Sequence, residues 1–252
     1  MQKIKILDIP FDNITRDEAP LLAFSGLQNG VQTLVVTPNA EIAQLCTENE
    51  SVKNAVCSAD IILPDGEGIV LASKALGKPL KEKVAGVEFG MECVRLAAER
   101  GYSLFLLGGK EGIAQKAASE LQNRFSALKI AGTHNGYFKK DGEETERVIA
   151  DINASGADIL FVCLGAPAQE KWACANKKAL SPKLIACLGG SLDIYSGNAK
   201  RAPKIFIKLK LEWFWRFLKE PSRLPRMMKL PKFLHTVKRY KKSQKRGIKN
   251  ES

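Results

Sequence analysis

Apolar residues along this chain fall into short unbroken runs, separated by longer stretches in which they recur every three to four positions. The runs are Thr33-Leu34-Val35-Val36, Ile61-Ile62-Leu63, Ser103-Leu104-Phe105-Leu106-Leu107, Asp158-Ile159-Leu160-Phe161-Val162 and Leu184-Ile185-Ala186-Cys187-Leu188. Such runs belong to strands buried on both faces. Between them lie amphipathic stretches such as Gly112 to Phe125, with Ile113, Ala117, Leu121 and Phe125 at helical spacing. Strand and helix in alternation predict an α/β fold with a mainly parallel sheet flanked by helices. The opening residues Met1 to Pro10 alternate polar and apolar like a further strand and hold no continuous apolar segment of a signal peptide.

Each strand runs into a loop rich in Gly, Pro, Asn or Asp: Thr37-Pro38-Asn39, Pro64-Asp65-Gly66-Glu67-Gly68, Gly108-Gly109-Lys110-Glu111-Gly112, Gly165 to Glu170, and Gly189-Gly190-Ser191-Leu192-Asp193. In a parallel sheet these carboxyl ends share one edge, where open α/β folds bind ligands. Glycine lets backbone amides approach closely, and a helix start offers N–H groups to an anion. A nucleotide diphosphate fits such a cleft.

Charge divides the chain at about residue 200. From Lys200 to Ser252 there are 18 Lys/Arg against three acids, a net +15, whereas the first 199 residues hold 21 bases and 24 acids, a net −3. This gives an α/β body over 1–199 and a basic, amphipathic helical appendage over 200–252, with disorder expected from 241 to 252. The appendage mixes its cations with Phe206, Trp213, Phe214, Trp215, Phe217 and Phe233, a combination that suits an anionic membrane surface. Pro221 and Pro225 break a helix around Arg223, and arginine forks suit phosphate oxygens. Further on, Phe233, Val237 and Tyr240 align at i, i+4, i+7 among lysines and arginines, the pattern of an interfacial helix. No run approaches the roughly 18 apolar residues of a spanning helix, so membrane contact is expected to be peripheral.

Composition weighs against several functions, and two readings from other classes, a basic nucleic-acid-binding protein and a dinucleotide-dependent oxidoreductase, stay as rivals. Six cysteines without C-x-x-C pairing fit a reduced, cytoplasmic protein, and two distant histidines, His134 and His235, make no metal site. A nucleic-acid-binding protein would be basic throughout, and here the body is acidic. A dinucleotide oxidoreductase would carry the G-x-G-x-x-G fingerprint followed by an acid, which is missing. No cofactor or metal is expected.

Individual residues admit two uses each. Asp65 sits where a cleft-edge carboxylate or a helix N-cap would sit. Gly109, in Gly108-Gly109-x-x-Gly112, fits a phosphate turn or a plain tight turn. Asp193 suits a ribose or a turn; Gln169, a substrate contact or a cap; Tyr137, stacking on a base or core packing.

Together the motifs resemble the TagA/WecG/CpsF family of bacterial glycosyltransferases. The likeness runs from about Thr37 to Arg226, through Thr37-Pro38-Asn39, Leu63-Pro64-Asp65-Gly66-x-Gly68, Gly77 with Lys83-Val84-x-Gly86, Leu107-Gly108-Gly109, Asn135-Gly136-Tyr137-Phe138, Leu164-Gly165-x-Pro167-x-Gln169-Glu170-x-Trp172, and Arg201-Ala202-Pro203 with Glu212-Trp213-x-x-Arg216. The resemblance implies a Rossmann-like fold of its own glycosyltransferase class (GT-E), and metal-independent, inverting transfer from a UDP-sugar donor to a polyprenyl-diphosphate-linked acceptor. It implies that Asp65 is the general base and that Arg216, Arg223 and Arg226 reach the diphosphate as the appendage closes over the site. Thr37, Asn39, Lys83, Gly109, Tyr137, Gln169 and Asp193 complete the expected substrate-binding set. Two positions depart from the family: Lys83, where arginine is usual, and Ala168, where lysine is common. By analogy the substrates are UDP-N-acetylmannosamine and N-acetylglucosaminyl-diphospho-undecaprenol, as in wall teichoic acid synthesis; other members use N-acetylmannosaminuronate or neutral hexoses. The expected location is the inner face of the plasma membrane. Self-association is open to the chain, with the apolar face of residues 205–218 available for it.

Overall fold

The computed structural model describes residues 2–200, 202, 203, 205, 206, 215 and 229–250, the last stretch with side chains through residue 243. In chain order the body comprises β1 (Lys3–Ile6), β2 (Ile9–Asp12), α1 (Glu18–Gln28), β3 (Thr33–Val36), α2 (Ala40–Glu48), α3 (Glu50–Cys57), β4 (Ile61–Ile62), α4 (Glu67–Ala75), α5 (Gly86–Arg100), β5 (Ser103–Gly108), α6 (Ile113–Arg124), β6 (Lys129–His134), α7 (Gly142–Ala154), β7 (Ile159–Cys163), α8 (Ala168–Asn176), β8 (Leu184–Cys187) and α9 (Ser191–Tyr195). A long helix, α10 (Lys229–Asn250), follows.

Six strands form one sheet in the order β4-β3-β8-β7-β5-β6, and every neighbouring pair is parallel. The expected mainly parallel sheet flanked by helices is thus the observed one. Successive side chains of a strand point to opposite faces. Leu34, Val36, Leu160, Val162, Ile185 and Cys187 enter one core with residues of α2, α3, α4, α7, α8 and α10. Val35, Ile159, Phe161, Leu184 and Ala186 enter the other with α1, α5, α6 and α9. Each fully buried large side chain stabilises the fold by about 1.5–3 kcal/mol.

Both edges differ from the centre. At one edge, β1 and β2 form an antiparallel hairpin whose Leu7-Asp8 turn has φ of 49° and 66°. The buried carboxylate of Asp12 accepts the Ile62 N–H at 2.8 Å, satisfying an edge amide that would otherwise invite another strand. At the other edge, β6 is half-exposed. Its Gly132 lies under the Phe105 ring, where a Cβ would stand 2.5 Å from Cε2.

The apolar row of α10 does not face outwards. Phe233 and Val237 are 0% and 2% exposed, packed in the core shared with α2 and α4, with Leu230 and Tyr240 beside them. The Tyr240 hydroxyl donates to Asp8 at 2.7 Å, Lys232 pairs with Glu48 at 2.8 Å and Lys229 with Glu41 at 3.6 Å. This corrects the expectation of an interfacial helix presenting that row to a bilayer: the body covers it, while Lys238, Arg239 and Lys242 stay exposed, as does Leu234. The backbone of α10 is helical to Asn250; of the stretch 241–252 expected to be disordered, residues 251 and 252 lie outside the described residues. Among the described residues no helix is long and apolar enough to cross a membrane.

Candidate active site

Because the six strands are parallel, the loops that follow them all lie at one edge of the sheet. Across that edge stand Asp65 after β4, Thr37 and Asn39 after β3, Asp193 after β8, Gln169 after β7, Gly109 after β5 and Tyr137 after β6. Every site residue expected from the sequence, among those described, belongs to this loop row except Lys83, which precedes α5.

Lys83 nevertheless joins the row. The Val84 N–H donates to Pro64 O at 2.9 Å, and Lys83 pairs with Glu67 at 3.7 Å, both side chains being about four-fifths buried (17% and 21% exposed). Glu67 opens α4 two residues after Asp65, so two carboxylates and one ammonium cluster at this corner. Asp65 is half-buried, and its N–H reaches towards Pro38 O at 3.4 Å. The cap of α4 is Gly66, at φ 90°, not Asp65. That removes the N-cap alternative for the aspartate.

Thr37 donates its hydroxyl to Cys187 O at 3.1 Å, tying β3 to β8. A Cβ on Gly86 would lie 2.8 Å from that hydroxyl, so glycine lets α5 start against it. Asn39 caps α2: its Oδ1 accepts from Glu41 and Ile42 N–H at 2.9 and 3.1 Å. Its oxygen therefore has the structural task that asparagine commonly performs at a helix start.

On the β5 side the backbones crowd. A Cβ on Gly108 would stand 2.3 Å from Cys163 O, one on Gly109 would stand 2.7 Å from Ile113, and Gly136 N–H donates to Gly109 O at 2.8 Å. The Gly109 turn is thus fixed by packing as well as by its φ of 73°. In the neighbouring loop the two aromatics divide their tasks. Phe138 makes edge contacts with His134 and Trp172, at centroid separations of 5.6 and 6.0 Å, whereas Tyr137 is 74% exposed. The core-packing alternative considered for Tyr137 belongs to Phe138. Lys140, which no motif in the sequence singles out, holds Gly136 O at 2.8 Å and also Phe138 O, and lies 3.6 Å from the Phe138 ring centroid. Burial pulls its ammonium pKa down.

Gln169 is 3% exposed, and both ends of its amide are engaged. Its Oε1 accepts from Gly189 N–H at 2.9 Å and its Nε2 donates to Glu170 Oε1 at 2.8 Å. Asp193 lies in the first turn of α9, where its main-chain O accepts from Ala199 N–H at 2.8 Å and its carboxylate accepts from Asn198 at 3.4 Å. Arg216, Arg223 and Arg226 lie outside the described residues.

Among the described residues no three His, Cys, Asp or Glu side chains gather into a metal-ligating group. The six cysteines are free thiols. The edge offers a half-buried carboxylate two residues before the Glu67 that pairs with Lys83, close-packed glycine turns and an exposed aromatic ring. Such a set can take a proton, approach a phosphate with backbone amides and stack on a flat ring.

Comparison with known proteins agrees with the resemblance and extends it. Residues 4–247 match the model of the glycosyl transferase WecG/TagA/CpsF family, a longer span than the Thr37–Arg226 covered by the motifs. An N-acetylglucosaminyldiphosphoundecaprenol N-acetyl-beta-D-mannosaminyltransferase of Staphylococcus aureus is 32% identical over 97% of this chain and 96% of its own. The enzyme of that name from Bacillus spizizenii is 36% identical over 83% of this chain and 80% of its own. With nearly its whole length matched, this chain belongs to the WecG/TagA/CpsF family of glycosyl transferases.

Proposed function

We propose that this glycosyltransferase moves N-acetylmannosamine from a UDP donor to N-acetylglucosaminyl-diphospho-undecaprenol, with inversion at the anomeric carbon, in the linkage step of wall teichoic acid synthesis. The observation that carries this reading is the similarity, over 97% of the chain, to a relative named for the same transfer.

In this mechanism the Asp65 carboxylate accepts the proton of an acceptor hydroxyl while that oxygen attacks the anomeric carbon from the face opposite UDP. The sugar–phosphate bond breaks as the new glycosidic bond forms, and negative charge grows on the departing UDP. Arg216, Arg223 and Arg226 neutralise that charge in place of a metal, as the family resemblance implies. Lys83, paired with Glu67 two residues after the aspartate, contributes positive potential to the same corner, and Tyr137 stacks on the uracil. The exposed basic face of α10 meets the anionic inner leaflet, each cation near the surface contributing about 1 kcal/mol.

The test is transfer of label from a panel of UDP-sugars to a short-chain lipid-diphosphate N-acetylglucosamine acceptor in EDTA. Transfer from UDP-N-acetylmannosamine is expected. Transfer only from another donor, or only with divalent metal restored, overturns the donor or the metal-free step respectively.

A further inference from the structure

The first turn of α8 contains a carboxyl group that the mechanism does not use. Glu170 is 1% exposed, and its Oε1 accepts from Gln169 Nε2 at 2.8 Å. Its Oε2 is buried with no hydrogen-bond partner among the described residues. Two thiols lie within its electrostatic reach, Cys46 of α2 and Cys187 of β8. Burial pushes Cys46 up to about 12 and Cys187 well above its ordinary value, so both are neutral.

The orientation of the neighbouring amide follows from donor and acceptor chemistry. Gly189 N–H can only donate, so it must face the amide oxygen of Gln169. The NH2 end then necessarily points at Glu170, which accepts. Reversing the amide would set two donors against each other at Gly189. Gln169 leads from the β7 loop and Gly189 sits in the β8 loop, so one side chain joins the two central loops of the ligand-binding edge.

We propose that Glu170 is a positioning residue for sugar transfer: its buried carboxyl holds the Gln169 amide in the orientation that grips Gly189, and so fixes the β7 and β8 loops against one another. The carboxyl does this in its un-ionised form. An ionised carboxylate here would have as donors only the Gln169 amide and its own backbone N–H, both at one end, with no cation among the described residues and almost no water-accessible surface; burial outweighs those donors and raises its pKa. Ionising it draws water into the junction and loosens both loops. Transfer therefore falls on the alkaline side, through Gln169 and Gly189, without Glu170 touching either substrate.

Three measurements on the full-length protein test this. Difference infrared spectroscopy of wild type against Glu170→Gln reads the protonation state, and hydrogen exchange of the Gly189 amide reads the Gln169 to Gly189 junction, both on the protein alone; the kinetic arm rests on the sugar transfer proposed above. Expected are the band of an un-ionised carboxyl at pH 7 that Glu170→Gln removes, and a Gly189 amide protected in wild type and Glu170→Gln but exchanging at least tenfold faster in Glu170→Ala. Transfer by Glu170→Gln should stay within about threefold of wild type and lose its alkaline limb, whereas kcat of Glu170→Ala should fall at least tenfold. Should Glu170→Ala fail to fold, the Glu170→Gln spectrum and pH profile decide alone. An ionised carboxyl at pH 7, or an alkaline limb unchanged in Glu170→Gln, overturns the proposal. Absence of transfer from every donor overturns the functional reading instead and leaves the two protein-only measurements to judge Glu170.

Discussion

Leu230 of α10 lies so close to Gly68 of α4 that a Cβ built on the glycine would stand 3.1 Å from Cδ1 of the leucine. The same Cβ would come within 2.8 Å of the Ala40 Cβ, at the first residue of α2. Three helices therefore converge three residues after Asp65. Gly68→Ala should force them apart at a cost of about 1–3 kcal/mol, the usual range for overpacking, and should lower kcat by moving the Pro-Asp-Gly loop. Thermal unfolding and the transfer assay check both effects; a variant with unchanged melting temperature and kcat would show that this junction has room to spare.

Removing the anchor of α10 separates its two faces. Phe233 is completely buried, and truncating such a ring typically costs about 3–5 kcal/mol. In a protein of this size, that lowers Tm by about 10 °C. Phe233→Ala is expected to show this loss while binding anionic vesicles as wild type does at a temperature where both are folded. Charge reversal of Lys238, Arg239 and Lys242, which are exposed, should do the opposite. If vesicle binding follows Phe233 instead, the apolar row leaves the body to enter the bilayer.

That helix also marks where the sequence stops being informative. Phe233, Val237 and Tyr240 repeat at helical spacing, which establishes one apolar face but is silent on whether lipid or protein covers it. The central strands were legible because both their faces are buried: β7 is an unbroken apolar run with every residue buried. β6 was not, since an edge strand of Lys-Ile-Ala-Gly-Thr-His has no run to find. The loop row at the sheet edge followed from parallel order alone, and so did the placement of Asp65 and Gly109. What each side chain does there depended on partners distant in sequence. Asn39 is expected among the substrate contacts, and the structure adds a second task that the motif does not show: its oxygen caps α2. Glu170 reads as an ordinary first-turn acid until α2 and β8 close over it.

Asp65→Asn keeps the shape of the corner and removes the base. If the aspartate takes the acceptor proton, kcat should fall about 10²–10⁴-fold, the span typical of general acid–base catalysis, with UDP affinity unchanged by calorimetry. Loss of UDP binding with the same fall in kcat would instead give Asp65 a role in holding the donor.

Tyr137 and Phe138 are adjacent yet should respond oppositely. Tyr137→Ala removes an exposed ring, so stability should stay within about 0.5 kcal/mol. Stacking on a base is worth about 1–3 kcal/mol, so UDP affinity should weaken roughly 5- to 150-fold. Phe138→Ala removes the edge contacts to His134 and Trp172 and should show first as a lower Tm. Unchanged UDP affinity in Tyr137→Ala would remove the stacking role and leave the tyrosine without a part in donor binding.

Glu170 links stability to pH in a direction that can be worked out. In the unfolded chain it ionises near the ordinary glutamate value of about 4.3, whereas burial raises that value in the folded protein. Between the two, the unfolded state has released a proton that the native state keeps. Stability is then full below the ordinary value and falls as pH rises towards the folded one, by about 1.4 kcal/mol per pH unit. Glutamine carries no proton to lose, so Glu170→Gln escapes this decline. Relative to wild type, its unfolding free energy should improve steadily from pH 4 upwards and level off only above the folded pKa of the acid. Denaturant unfolding of the two proteins across pH 4 to 8 measures the difference directly. A difference that stays flat across the window would mean that the carboxyl is ionised in the native state as it is in the unfolded one, and that some cation reaches Oε2.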